Sequence, residues 1–159
     1  MTVEPVDALS NRAIVHFTRP GHNIPSLELP IRSTTTKTAA VLRRGDDDPL
    51  VVAVSGWSNT FPMDHSYVLD KKLATDRVFK MCAIIGHELG KKAKMDRGRP
   101  GAFSACHVEK QLLASVFFDE KEVDEVEIFV SRKPCQDCES CIEKFVEVMG
   151  VEVKLRYRR

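Results

Sequence analysis

The sequence predicts an α/β fold in which a mixed β-sheet is flanked by helices. Three observations carry this. Two β-type runs, Thr38-Ala39-Ala40-Val41-Leu42 and Leu50-Val51-Val52-Ala53-Val54, flank the turn Gly45-Asp46-Asp47-Asp48 and read as a hairpin. Apolar residues recur at helical spacing from Ser66 to Leu89. Near the C-terminus a strand, a helix and a second strand follow one another, which implies a parallel pair joined by a crossover helix.

In order, Ala8 to Phe17 is expected to form a short helix, and the proline-bearing stretch from Pro20 to Pro30 an extended chain. The nearly continuous apolar run of the hairpin's second strand predicts an interior strand buried on both faces. The long helix should stop at Gly90. Ser104 can cap the next helix, which carries His107, Glu109, Leu112, Leu113 and Val116. Val123 to Ser131 alternates as a strand. Pro134 suits a first helical position, opening a helix that runs to Met149 and stops at Gly150. Val151 to Tyr157 forms the last strand. No internal repeat or long linker divides the chain, so residues 1–36 read as an N-terminal extension and 37–159 as one domain.

The bulk numbers are those of an ordinary globular protein: 159 residues, 43% hydrophobic, 30% charged, net charge +1. No global field therefore announces a nucleic-acid partner, although a local patch can. No apolar run approaches the length that spans a bilayer, so no membrane partner is expected. Met1 to Asn11 lacks the apolar core of a secretory signal; a toxin domain cut from a longer secreted protein would look the same. Five cysteines, Cys82, Cys106, Cys135, Cys138 and Cys141, are an odd number, and three follow C-x₂-C-x₂-C spacing. Metal binding by reduced thiols, in the cytoplasm or another reducing compartment, explains them better than disulfides.

The chemistry lies in His107-Val108-Glu109 and Pro134-Cys135-Gln136-Asp137-Cys138. One imidazole and two thiolates supply three ligands for Zn²⁺ and leave a position open for water. Cys135 and Cys138, three apart on a helix, face the same way. Glu109 stands two residues past the histidine, where its carboxylate can reach that water. A structural site closed by Cys141 is the competing reading, but it gives no role to Glu109 or Pro134. Cys82 and Cys141 are expected in the core, and Cys106 is expected to point away from the metal. The pair His87-Glu88 lacks the second histidine of a metalloprotease motif and reads as surface. Lys91, Lys92, Lys94, Arg97 and Arg99 form a basic loop against the single acid Asp96, leading into the His107 helix. Phosphate would be attracted there. Lys154, Arg156, Arg158 and Arg159 can add to it.

The segment Ser104-Ala105-Cys106-His107-Val108-Glu109-Lys110-Gln111-Leu112, with Pro134-Cys135-Gln136-Asp137-Cys138, resembles the zinc-dependent cytidine deaminase-like superfamily. The H-V-E form followed by glutamine is most similar to toxin-type and related fungal deaminases, which include DNA cytosine deaminases. The resemblance covers roughly residues 37–157. It implies a three-layer fold, a mixed sheet of five strands or fewer flanked by helices; the four strands read from this chain make it a compact version. Carried over, His107, Cys135 and Cys138 would bind Zn²⁺ and Glu109 would shuttle protons. Substrate contacts would come from Trp57, Asn59 and Phe61 after the second strand, from Phe103 and Ala105 before the metal helix, and from Lys94, Arg97 and Arg99. The expected reaction is hydrolytic deamination of cytosine to uracil in a polynucleotide, DNA before RNA. A free nucleoside, nucleotide or small heterocycle is the alternative substrate. A non-catalytic zinc-stabilised binding module is the alternative of another class. Cytosine against adenine, strandedness and oligomeric state stay open.

Overall fold

The computed structural model describes residues 38–45, 48–56 and 69–157, together with the backbone of five short strand segments closer to the N-terminus. Those segments are β1 (Thr2–Pro5), β2 (Ala13–His16), β3 (Thr18–Arg19), β4 (His22–Asn23) and β5 (Leu27–Leu29). β2 pairs antiparallel with β1 and β5, and β3 pairs with β4. The helix expected over Ala8 to Phe17 is thus overturned at residues 13–16. Ile14 and Val15 are β-branched, stiff at χ1, and suited to a ladder.

The principal sheet has four strands in the order β7-β6-β8-β9, formed by β6 (Ala39–Arg43), β7 (Val51–Val54), β8 (Glu125–Val130) and β9 (Glu152–Tyr157). β6 runs antiparallel to β7 and to β8, whereas β8 and β9 are parallel. The sheet is mixed, and its hairpin and C-terminal crossover stand where the sequence predicts them. One detail differs. Among the described residues β7 is an edge strand, not an interior one, although Val52, Ala53 and Val54 are buried. Its outer side is partly satisfied by the Leu69 amide, which donates to the Val52 carbonyl at 2.9 Å. Covering an edge in this way removes a template for pairing with another chain.

Helices α1 (Lys71–Ile85), α2 (Ala102–Ala105), α3 (Val108–Phe117) and α4 (Gln136–Met149) flank the sheet. Ala40, Leu42, Ala53, Ile128 and Val130 form one apolar cluster with Val78 and Met81 of α1, Leu112 and Leu113 of α3, and Phe145 of α4. α3 is buried at every position from Val108 to Val116 except Ser115. A helix covered all round is a central one, and α3 packs on α1, α4 and three strands.

The helix ends correct the sequence reading. α1 starts after Asp70, whose carboxylate accepts the Leu73 amide at 2.8 Å. It stops at Gly86 rather than Gly90. Gly86 takes a left-handed φ of 74°, and the His87 amide donates back to the Cys82 carbonyl. Leu89 continued the apolar spacing past this true stop. Ser104 lies inside α2 and caps nothing; the chain breaks at Cys106, and His107 is the N-cap of α3. Cys135 is the N-cap of α4, so Pro134 stands one residue outside the helix. His87, expected at the surface, is buried.

Asp96 organises the basic loop. Its buried carboxylate accepts amides from Lys92 at 2.8 Å, Gly101 at 3.0 Å and Phe103 at 3.0 Å. Gly101 takes φ 83°, and a Cβ there would stand 2.9 Å from Leu89 Cβ, so only glycine fits. Burial raises the Asp96 pKa, but the three amide donors outweigh it and hold the carboxyl below its ordinary 3.8. A depressed folded-state pKa contributes stability above the unfolded value and loses it as pH falls through the folded one. Asp96→Asn should therefore lower the melting temperature near neutrality. The gap from wild type should narrow at pH values below 3.8, as thermal melts over a pH series can show.

Candidate metal centre and active-site cleft

Two helix N-termini meet at the front of the sheet. α3 is capped by His107 and α4 by Cys135, both in extended backbone, and neither is a conventional side-chain cap. Histidine and cysteine are poor caps compared with serine or aspartate. Their side chains turn to each other instead. His107 Nδ1 lies 3.3 Å from Cys138 Sγ and 3.5 Å from Cys135 Sγ, and the two sulfurs are 3.4 Å apart. A tetrahedral zinc ion holds such donors about 3.5–3.8 Å from one another. These three residues could hold a metal ion, and the donor set suits zinc.

Without a cation the two thiols share one hydrogen bond. Hydrogen bonds from Cys138 and His107 push Cys135 down to about 3. Its partner Cys138 is pushed up by the same bond and by burial. A cation between them would favour both thiolates. Cys141 stands apart: its sulfur lies 4.0 Å from Cys82 Sγ, with both residues buried. The Cys106 thiol donates to the Phe103 carbonyl at 3.0 Å, away from the triad. Both follow the sequence expectation. Glu109, in the first turn of α3, is buried and brings Oε2 to 3.5 Å from Cys138 Sγ.

Behind the triad lies a network the sequence reading missed. Lys110 is fully buried, and its ammonium donates to Asp137 Oδ2 at 2.6 Å, to Cys138 Sγ at 3.3 Å and to the Ser104 carbonyl at 3.4 Å. Burial pushes its pKa down, but the Cys138 sulfur and the Asp137 carboxylate outweigh this and raise it above 10.5. For Asp137, burial raises the pKa, while hydrogen bonds from Lys110 and Ser104 bring it down to about 2. Asp137 also accepts the Gly90 amide at 3.2 Å, and His87 Nε2 lies 3.3 Å away. The signal available in the sequence was the charged pair itself: a lysine amid the apolar positions of α3, and an aspartate between the two cysteines of the C-x₂-C pair.

A cleft of about 390 Å³ opens over the triad. His107, Glu109 and Cys135 form its floor with Cys106 and Val108; Ser55 and Gly56 after β7 and Thr38 before β6 form one side. Phe103 forms a wall, edge-on to the His107 ring at 5.3 Å. Arg132 and Lys133 complete the lining. Sequence reasoning overlooked this pair, though Pro134 alone separates it from Cys135.

The other expected contacts divide. Ala105 is fully buried and does not line the cleft, because its side chain faces the core cluster. Lys94, Arg97 and Arg99 are exposed on their loop and do not line it either. Arg99 is held by Asp76 at 2.6 Å and lies 3.7 Å from the Phe79 ring centroid. Lys92 comes nearest, 5.1 Å from the Phe103 ring. Lys154 and Arg156 pair with Glu125 and Glu127 of β8. Trp57, Asn59, Phe61, Arg158 and Arg159 lie outside the described residues.

Residues 52–113 match the family described as single-strand DNA deaminase toxin A, C-terminal. The match covers less than half of the chain. It spans β7, α1, α2 and most of α3, including His107 and Glu109, and ends before the cysteine pair. No curated protein matches the chain.

The geometry predicts one zinc ion per chain. Cys138→Ala should lose the metal and, with it, stability. Cys141→Ser should retain full zinc content, because its sulfur belongs to the Cys82 contact. Metal analysis after gel filtration of the reduced proteins separates the two outcomes. Loss of zinc from Cys141→Ser would mean a closed, structural site.

Proposed function

We propose that the chain is a zinc-dependent hydrolase that converts cytosine to uracil in single-stranded DNA. The observation that supports it most is the convergence of His107, Cys135 and Cys138 beside the Glu109 carboxylate, on the floor of an open cleft. A structural zinc site wants four protein ligands and no cleft. This one offers three donors and faces solvent. The matched family's description adds the polymer and its strandedness. It also suits a delivered toxin domain. Among the described residues no helix is long and apolar enough to cross a membrane.

Zinc bound by the triad would supply a water acidic enough to attack at neutral pH. The residues of the chain do the rest. The cleft admits one flipped or unpaired base, with Phe103 as a wall against its face or edge. Glu109 takes the proton released by the attacking water and delivers it to N3 of the ring. It then passes a proton to the departing amine. The C4–N4 bond breaks, a C4–O bond replaces it, and water and cytosine leave as uracil and ammonia. Burial of Glu109 keeps bulk water from competing for that proton.

Glu109→Ala should keep zinc and fold but lower turnover by about 10²–10⁴-fold, the usual contribution of a general acid–base group. Single-stranded DNA, duplex DNA, RNA and free cytidine are offered separately, and released nucleosides are analysed by mass. Uracil from single-stranded DNA alone is the expected result. Deamination of cytidine with none of DNA would move the assignment to a small-molecule enzyme. A Glu109→Ala rate near that of wild type would remove Glu109 as the proton carrier.

A further inference from the structure

Several cations of the described residues are neutralised where they stand. Arg44 pairs with Asp119, Arg99 with Asp76, Lys121 with Asp48, and Lys154 with Glu125. Arg132 and Lys133 differ. Both are exposed, both line the cleft over the triad, and among the described residues neither has an acid or a side-chain hydrogen bond. The single carboxylate in the lining is Glu109, buried on the floor and turned to Cys138. The rim therefore carries two uncompensated positive charges.

The loop that bears them is short and fixed at both ends. At one end the Ser131 amide donates to the Ala39 carbonyl at 2.9 Å, and Ser131 Oγ accepts the Ala39 amide at 3.0 Å. At the other, Pro134 is buried and Cys135 begins α4. Anchoring at both ends fixes the backbone that carries the two cations beside the cleft, so a ligand there has only their side chains to order. A guanidinium and an ammonium side by side match the oxygens of a phosphodiester.

We propose that Arg132 and Lys133 form a phosphate clamp that holds the polynucleotide backbone next to the base in the cleft. This rests on the deaminase reading for the identity of the ligand. It also relocates the electrostatic contact from the loop of residues 91–99 to the loop joining β8 to α4. A free nucleoside lacks the group the clamp grips. The clamp thus favours polymer over monomer, and it is indifferent to sugar type.

The test uses the zinc-loaded chain, with zinc content checked in each variant. Arg132→Ala/Lys133→Ala is compared with wild type, with Arg132→Lys/Lys133→Arg, and with Lys80→Ala on the exposed face of α1. Affinity for a fluorescent single-stranded oligodeoxynucleotide is measured over a salt series, and turnover of that oligonucleotide and of cytidine is measured in parallel. The double alanine variant should bind about tenfold more weakly or worse, since charge-assisted hydrogen bonds are lost. Its slope of log affinity against log salt should fall by roughly 1.4, two contacts' worth on a single strand. The charge-preserving pair and Lys80→Ala should keep the wild-type slope. A double alanine slope equal to that of wild type overturns the clamp even if DNA is deaminated. Wild type without salt-dependent binding overturns it too. Lost slope in a protein that binds DNA and deaminates nothing sustains the clamp and removes the deaminase reading.

Discussion

The ammonium of Lys110 has no access to solvent, and it lies between the Asp137 carboxylate and the Cys138 sulfur. A lone buried charge would cost several kcal/mol, and removing one partner of such a pair typically costs about 3–5 kcal/mol. The chain therefore has one satisfactory arrangement here: α3 and α4 must dock with Lys110 against the first turn of α4. That docking brings His107, three residues before Lys110, to the two cysteines that flank Asp137. The halves of the His107–Cys135–Cys138 cluster, separated by β8, are registered against each other by a charge pair. Ser104, Gly90 and His87 surround the same carboxylate, so α2 and the chain after α1 are tied to this point as well.

Position in the sheet explains why the cleft opens where it does. β7 and β8 end beside the N-termini of α3 and α4, and ligands of open α/β sheets gather at such strand ends. Helix N-termini present free amides and partial positive charge. They suit a pair of thiolates. Gln111 closes the break before the metal helix, donating to the Cys106 carbonyl at 3.0 Å. His107 can thus leave helical geometry without leaving that carbonyl unpaired.

The cations show how position and pairing differ. Five basic residues in the loop of residues 91–99 made it the natural phosphate site on the page. In the structure Asp96 draws that loop into a tight turn, and Arg99 lies across Phe79 and Asp76. Two cations without acids, Arg132 and Lys133, line the cleft instead. Charge density along a chain is a weak guide to a binding site, because it does not say which cations face the cleft and which are taken up by an acid or a ring.

The sequence by itself determined the order of the main elements from β6 onward, apart from the separate α2, together with the mixed four-stranded sheet and the residues of the triad. Those follow from local rules: alternation in β8 and β9, helical spacing in α1 and α4, and a metal-ligand spacing that few other demands explain. It determined the helix ends less well. Gly86 and Gly90 are equally capable of ending α1, and the choice depends on which glycine can take positive φ once α1 packs. Tertiary structure alone decided that β7 lies at an edge, that His87 is buried, that Ala105 faces the core and that Lys110 reaches both Asp137 and Cys138. Each of these depends on contacts between residues far apart in the chain, and periodicity within a window carries no information about them. The His107–Cys135–Cys138 cluster was legible because a metal-ligand spacing restricts residue type, whereas the rim of the cleft was not, because exposed cations are common and only packing shows which of them face the cleft without a partner.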